Sequence, residues 1–176
     1  MDFQTVIRSR RSCRSYTGEA PEMRALGQIL EAGCSAPVGR RKYEDVSLTV
    51  IQNKALLSAI SENAKAVLGM EQDPLYGAPV MILVSVRETE GQILPVKIAD
   101  AACVMENMHL QATELGLGSC YIWSATQAIQ QNPELLYRLE LQDGFWPVSA
   151  LIVGSGVMTA EERGSAFGRI KTNYLD

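Results

Sequence analysis

The chain has 176 residues, 47% of them apolar and 20% charged, a length and apolar fraction that predict one globular domain over residues 1–176 rather than a disordered chain. Its 16 basic and 20 acidic residues leave a net charge of -4, which argues against a nucleic-acid-binding protein, because such domains usually carry a basic excess. The sequence lacks both a run of roughly 18 apolar residues that could span a bilayer and the apolar core of a signal peptide, so we expect a cytoplasmic protein without a membrane partner.

The spacing of apolar residues predicts helices and strands that follow one another along the chain. In order, these are helices over 3–9 and 21–34, a strand over 45–52, a helix over 54–69, a strand over 79–86, a helix over 95–115, a strand over 117–123, a helix over 133–141 and a strand over 146–156. The strand "PVMILVSV" at 79–86 is apolar without alternation, which indicates an interior strand covered on both faces. The order lacks a strict βαβ repeat and a GxGxxG after a strand, so it indicates an α+β fold with a mixed sheet between helices.

The helix from Pro95 to Leu115 carries apolar residues on nearly every face, and four small residues fall within five positions, at Ala99, Ala101, Ala102 and Cys103. A helix that is apolar all round is predicted to be a long buried core helix, and small residues allow a second helix to approach closely. We therefore predict that this helix also forms a subunit contact. The tail "RIKTNYLD" at 169–176 is predicted to be extended.

The four cysteines and the single histidine do not form a metal-ligand pattern. Cys13, Cys34, Cys103 and Cys120 are too far apart for a CxxC pair, and one histidine cannot supply a two-histidine ligand set. Free cysteines are commonly buried as small apolar groups, and we predict this for all four. His109 is predicted to be a structural helix residue rather than part of a catalytic triad.

The segment "RSRRSCRSY" at 8–16 places four arginines and three serines in nine residues. Guanidinium groups bind a phosphate monoester bidentately, and serine hydroxyls add uncharged donors. We call residues 8–16 the arginine segment and predict that it binds a phosphate group. A solvated basic loop and a nucleic-acid patch are the alternatives.

Four segments, in order along the chain, resemble the FMN-dependent nitroreductase family. Residues 10–16 are similar to its pattern R-R-S-x-R-x-[FY], "SAP" at 35–37 to its A-P-S segment, "GAPVMILV" at 77–84 to a strand signature, and "ELGLGSCYIWS" at 114–124 to its most specific motif. The resemblance implies a nitroreductase-like α+β fold whose C-terminal strand is exchanged in a homodimer, with FMN at the subunit interface. It also implies hydride transfer from NAD(P)H, through FMN, to an electron-poor acceptor such as a nitroaromatic or a quinone. The alternative is an FMN-binding protein without NAD(P)H-dependent turnover.

The resemblance also implies which residues hold the FMN phosphate. Arg10, Arg11 and Ser12 match the residues that bind the ribityl phosphate in the family. A basic residue near the C-terminus is expected to complete this site, and Arg163 is the candidate, with Arg169 as the alternative.

Other residues are implied to lie beside the flavin ring. Arg14 matches a basic residue at the pyrimidine edge, where positive charge favours the reduced form. The stretch beside the ring comprises Tyr121, Ile122, Trp123 and Ser124. The backbone N–H of Trp123 or Ser124 would donate to flavin N5, so no catalytic side chain is implied. A packed aromatic residue is the alternative for Trp123.

The segment "APVGRRKYEDV" at 36–46 lacks the Asn, Gln and Trp of the family pattern A-P-S-x-x-N-x-Q-P-W. "APVG" is similar to a branch of the family, and the expected flavin contacts of this segment are Pro37, Val38, Gly39 and Arg41. Charge from Arg40, Arg41 or Lys42 would replace the missing amide. The chain also lacks the longer helical insertion of many family members, which implies a pocket that is open or covered in a different way.

Overall fold

The computed structural model describes residues 1–157 and 162–175. Its elements, in chain order, are α1 (Phe3–Ser9), α2 (Met23–Cys34), 3-10 turns at Gly39–Arg41 and Tyr43–Asp45, β1 (Val46–Ile51), α3 (Lys54–Leu68), β2 (Val80–Arg87), α4 (Pro95–Glu114), β3 (Gly118–Ile122), α5 (Ser124–Gln130), α6 (Pro133–Arg138) and β4 (Phe145–Gly154). The predicted elements are confirmed to within a few residues. Helix α5 was not predicted, because it has only 7 residues and no side chain caps its N-terminus.

The four strands form one sheet in the order β1-β2-β4-β3, and each neighbouring pair is antiparallel. Strand β2 lies inside the sheet and residues 80–86 are all buried, as the unbroken apolar run predicts. The predicted α+β fold is confirmed. The parallel pairing expected of a mixed sheet is present as an isolated bridge between Ser12 and Ser119.

Apolar side chains pack on both faces of this sheet. On one face, α3, α5 and α6 contribute to a core that includes Ile60, Met81, Ile129 and Ile152. On the other face, α2 and α4 form a core that includes Ile29, Ile82, Met105 and Leu151. Consecutive residues of β2 and β4 thus enter opposite cores, as the two-residue repeat of a strand requires.

Helix α4 is central to the fold, but one of its faces is open. Met105 is fully buried beneath the sheet, whereas Ala99, Ala102 and Cys103 are exposed. The expectation that α4 is covered on every side is therefore not met within a single chain. Three of its four small residues lie on this outer face, where a second helix could approach them, whereas Ala101 is buried.

Of the four cysteines, Cys13 and Cys120 are buried as predicted. Cys34 and Cys103 are exposed, because they lie on the sides of α2 and α4 that face away from the sheet. Within residues 1–157 and 162–175, no three or more His, Cys, Asp or Glu side chains group closely enough to hold a metal ion. No helix in those ranges has the length and apolar character needed to cross a membrane.

Residues 162–175 form no helix or strand and run over the surface. Phe167 is 88% exposed and Leu175 is 90% exposed, and Ile170 and Tyr174 are similarly open. Asp176, the last residue of the predicted tail, lies outside the described residues. Exposed large apolar side chains that lie close together in the sequence are typical of a surface that binds another protein. The exchange of this segment with a second chain remains a prediction.

Candidate functional site

The arginine segment lies directly on the first residues of β3. Ser12 forms the parallel bridge with Ser119, and the Cys13 N–H donates to the Ser119 carbonyl at 2.8 Å. A Cβ on Gly118 would lie 2.8 Å from Cys13 Sγ, and a Cβ on Gly156 would lie 3.0 Å from it. The two glycines therefore permit a close approach that any side chain would prevent.

Helix α4 holds the same segment from its other side. Nε2 of His109 lies 3.3 Å from the carbonyl oxygen of Arg11. One turn earlier, Oε1 of Glu106 lies 3.4 Å from Nε of Arg10. The predicted phosphate-binding residues are thus held between a helix and a strand.

Arg163 attaches the C-terminal segment to the arginine segment. Its Nε donates to the carbonyl oxygen of Arg8 at 3.2 Å, and its guanidinium also donates to the carbonyl oxygen of Arg10. Burial, followed by the charges of Arg10, Arg169 and Arg11, lowers the pKa of Arg163. Guanidinium groups that lie close together destabilise one another's charged form. Such groups are typical of a site that binds an anion. Arg163 contacts the arginine segment directly, and Arg169 lies close enough to Arg163 to affect its pKa.

The donors gathered here fit a phosphate group. Two carboxylates form ion pairs with the segment, Glu106 with Arg10 and Glu162 with Arg8, and both are about half exposed. Exposed pairs of this kind are weak, so an anion can compete with them for the arginines. Ser119 Oγ is buried beside the segment and has no hydrogen-bond partner among the described residues.

Strand β3 leads from the arginine segment to the residues expected beside a flavin ring. Ile122 is buried and Tyr121 is half-buried, whereas Trp123 is 43% exposed. Trp123 is therefore not a packed core residue in the single chain. Ser124 begins α5, and the first N–H groups of a helix have no acceptor within it. The backbone at this end of β3 can therefore donate to a bound group.

Arg14 is exposed near this strand. Its positive charge acts on the phenol of Tyr16 and on the thiol of Cys120. Burial nevertheless raises the pKa of both groups. Neither side chain is therefore ionised at neutral pH, and neither is a ready nucleophile or base.

The 36–46 segment lies at the other end of α4. The Gly39 N–H donates to Oδ1 of Asp100 at 2.8 Å, and a Cβ on Gly39 would lie 3.0 Å from Val96. Along a helix, Asp100 and His109 are separated by about 13 Å. In one chain, the structure therefore places the expected contact residues of this segment in a second group, apart from the arginine segment; they are Pro37, Val38, Gly39 and Arg41.

The cationic residues of this second group differ in position. Arg40 and Arg41 have φ of 56° and 57°, a left-handed conformation that is uncommon for residues other than glycine. Arg40 and Lys42 line a cavity of about 350 Å³, whereas Arg41 is not part of that lining. Strained backbone of this kind persists only where its surroundings hold it, and the hydrogen bond from Gly39 to Asp100 contributes to that.

Sequence reasoning missed three charged residues in this cavity. Lys97 Nζ donates to Oδ2 of Asp45 at 2.6 Å, which lowers the pKa of Asp45. Asp100 is also buried, although it carries a carboxylate. The signal for Lys97 and Asp100 was their place in an otherwise apolar helix, since charged residues are rarely buried without a partner.

Comparisons with known proteins give matches to one family. The model of the Nitroreductase family matches residues 7–155. A protein of Bacillus subtilis (strain 168) named FMN reductase (NAD(P)H) is 30% identical over 158 residues, which are 82% of this chain and 61% of that protein. This chain thus spans less than two thirds of that relative's length.

Two solved structures resemble the chain over nearly all of its length. One is a nitroreductase with bound FMN from Bacteroides fragilis NCTC 9343, with a TM-score of 0.81 and coverage of 99% of this chain and 100% of that one. The other is a nitroreductase with bound FMN from Desulfitobacterium hafniense DCB-2, with a TM-score of 0.84 and coverage of 100% of both chains. Each is 25% identical to this chain.

Proposed function

The chain belongs to the nitroreductase family, and on this premise we propose that it binds FMN and acts as an NAD(P)H-dependent oxidoreductase toward an electron-poor acceptor such as a nitroaromatic or a quinone. The observation that carries the proposal is the group of arginines held against β3, where Arg163 meets Arg10 and Arg11. Two similar structures contain bound FMN, which supports the phosphate of FMN as the anion that these arginines bind. Residues 1–176 act as one domain in this proposal.

In this proposal, Arg10, Arg11 and Ser12 bind the FMN phosphate, and Arg163 completes the site. Guanidinium groups donate two parallel hydrogen bonds to a phosphate, and the site holds several such groups. Arg163 is preferred to Arg169 because it donates to the backbone of the arginine segment. Bound FMN supplies the hydride-transfer chemistry.

The remaining contacts orient the ring. Arg14 provides positive charge at the ring edge, and the backbone N–H of Trp123 or Ser124 donates to the ring nitrogen N5. Tyr121 and Ile122 lie beside the ring. The protein thus contributes binding and orientation, and no side-chain acid or base is assigned.

A homodimer joins the two groups that lie apart in one chain. In a two-fold interface the same surface of each subunit meets its copy. We place the axis across α4 between Cys103 and Glu106, near the centre of its exposed face, so that the two α4 helices run antiparallel. The first turns of one α4, with Gly39 bound to Asp100, then face the last turns of the other, with His109 bound to Arg11. Residues 37–41 of one protomer would therefore meet the arginine segment of its partner around one FMN.

The activity itself is tested by anaerobic stopped-flow mixing. We expect purified protein to be yellow, and we expect NADH or NADPH to bleach its visible flavin absorbance, because the proposed site holds FMN where a nicotinamide can reach it. Free FMN at the same concentration is the control for non-enzymatic reduction. Colour without bleaching supports the alternative, a flavin-binding protein without turnover. A colourless protein that FMN does not stabilise against heat contradicts both functions.

Replacing Arg11 with alanine tests the phosphate site. The Arg11→Ala variant should weaken FMN binding by about 2 kcal/mol, roughly a thirtyfold increase in Kd, because a charge-assisted hydrogen bond is lost. Quenching of FMN fluorescence measures the Kd. Arg138→Ala is a matched control, since Arg138 is an exposed arginine on α6. Equal FMN affinities for the Arg11 variant and the control would contradict a role for Arg11 in phosphate binding.

A further inference from the structure

His109 is buried at the centre of the candidate site, although the proposed function gives it no role. It is 2% exposed. Its Nε2 lies 3.3 Å from the carbonyl oxygen of Arg11, and the backbone of Ser119 lies close enough to affect the ring. The imidazole therefore joins α4 to the arginine segment at the point where that segment meets β3.

The charge state of His109 follows from its surroundings. Burial, followed by the charge of Arg10, lowers the pKa of His109 to about 4. The ring is therefore neutral at physiological pH and has one N–H to donate. Because Nε2 faces a carbonyl oxygen, the proton is assigned to Nε2. Nδ1 lies 3.9 Å from Oε2 of Glu106, the carboxylate nearest to the ring.

We propose that His109 is a positioning residue for the phosphate site, which holds the Arg11 carbonyl and so fixes the direction of the donors that follow it. The Arg11 carbonyl and the Ser12 N–H belong to one planar trans peptide and point in opposite directions. With the carbonyl held toward α4, the Ser12 N–H points away from the helix. The proposal rests on the proposed FMN function and adds a residue that does not itself touch the cofactor.

Glu106 supports this arrangement from the same face of the helix. It lies one turn before His109 and pairs with Arg10. Helix α4 thus contacts two consecutive residues of the arginine segment, one through a side chain and one through a carbonyl. The pair with Glu106 is exposed and yields to an anion, so the Arg11 carbonyl is the lasting point of attachment. A segment held there loses less entropy when a ligand binds.

The test compares FMN with riboflavin, which has the same ring but no phosphate. In the His109→Leu variant, which has no donor, we expect the Kd for FMN to rise roughly tenfold, as the loss of one hydrogen bond allows. The Kd for riboflavin should stay unchanged. His109→Gln places an amide N–H near the position of Nε2 and should restore FMN binding to within about threefold of the unsubstituted protein.

A neighbouring residue of α4 provides the control. Met108 is fully buried and packs against Gly33 of α2 rather than against the arginine segment. Met108→Ala should lower stability through a cavity and leave the ratio of the FMN and riboflavin Kd values unchanged. If His109→Leu does not fold, His109→Asn replaces it, because its shorter amide does not reach the Arg11 carbonyl.

Each outcome of these measurements either supports or overturns the positioning role of His109. A selective loss of FMN affinity in the Leu or Asn variant, with recovery in the Gln variant, supports the positioning role. Equal losses for FMN and riboflavin, or no loss, overturn it while the proposed function stands. If the unsubstituted protein does not bind FMN, or binds it no more tightly than riboflavin, the phosphate site itself fails, and the positioning role fails with it.

Discussion

Deletion of residues 168–176 is expected to convert the proposed dimer into a monomer and to weaken FMN binding roughly a hundredfold, the equivalent of losing two or more good contacts. The deleted segment carries Ile170, Tyr174 and Leu175, which are 82%, 75% and 90% exposed in the single chain. Burial of such side chains against a second chain contributes roughly 1.5–3 kcal/mol each. Light scattering measures the oligomeric state, and fluorescence quenching measures the FMN affinity.

A pair of substitution sets separates the apolar contacts from the loss of Arg169, which the deletion also removes. Serine at positions 170, 174 and 175 should reproduce the loss of the dimer. Serine at positions 171, 172 and 173, whose side chains are polar, should preserve it. A stable dimer after the deletion would contradict the exchanged segment.

The free energy of unfolding is expected to fall by about 3 kcal/mol as the pH drops from 6.5 to 4, because of His109 alone. The ordinary pKa of a histidine side chain is 6.5, and burial, followed by the charge of Arg10, lowers the pKa of His109 to about 4 in the folded protein. Between these values the unfolded chain binds more protons than the folded chain. The stabilisation is therefore fully present above pH 6.5 and is lost as the pH falls toward 4.

Urea unfolding at several pH values measures this effect. His109 is the only histidine in the chain, so a comparison with His109→Gln isolates its contribution from that of the carboxylates, which titrate in both proteins. The difference in unfolding free energy between the two proteins should narrow, or change sign, as the pH falls. A difference that does not vary with pH would show that His109 titrates near its ordinary pKa.

The sequence predicted the elements whose local signals were strong. Asn53 caps α3, and Gly69 ends it in the left-handed conformation, so both ends of that helix were visible in the residue types. The short helix α5 is stabilised by packing against α3 and has no comparable signal. The exposed face of α4 was also not predictable, because an apolar surface looks the same in sequence whether its own chain or another chain covers it.

The arginine segment was recognisable because its residues are contiguous. The choice between Arg163 and Arg169 depends on how a distant segment returns to α1, which local patterns do not encode. The resemblance named residues for one cofactor without saying which protomer supplies each of them. The structure separates the residues near Gly39 from those near Arg11, which lie toward opposite ends of α4.

That separation along α4 has a genetic consequence under the proposed dimer. Each cofactor would take its phosphate contacts from the arginine segment of one polypeptide and a further set of contacts from residues 37–41 of the other. Two defective alleles, one damaged near Arg11 and one damaged near Gly39, would then complement each other when expressed together. A mixed pair would contain one site that carries both defects and one that carries neither, so half of its sites would be restored.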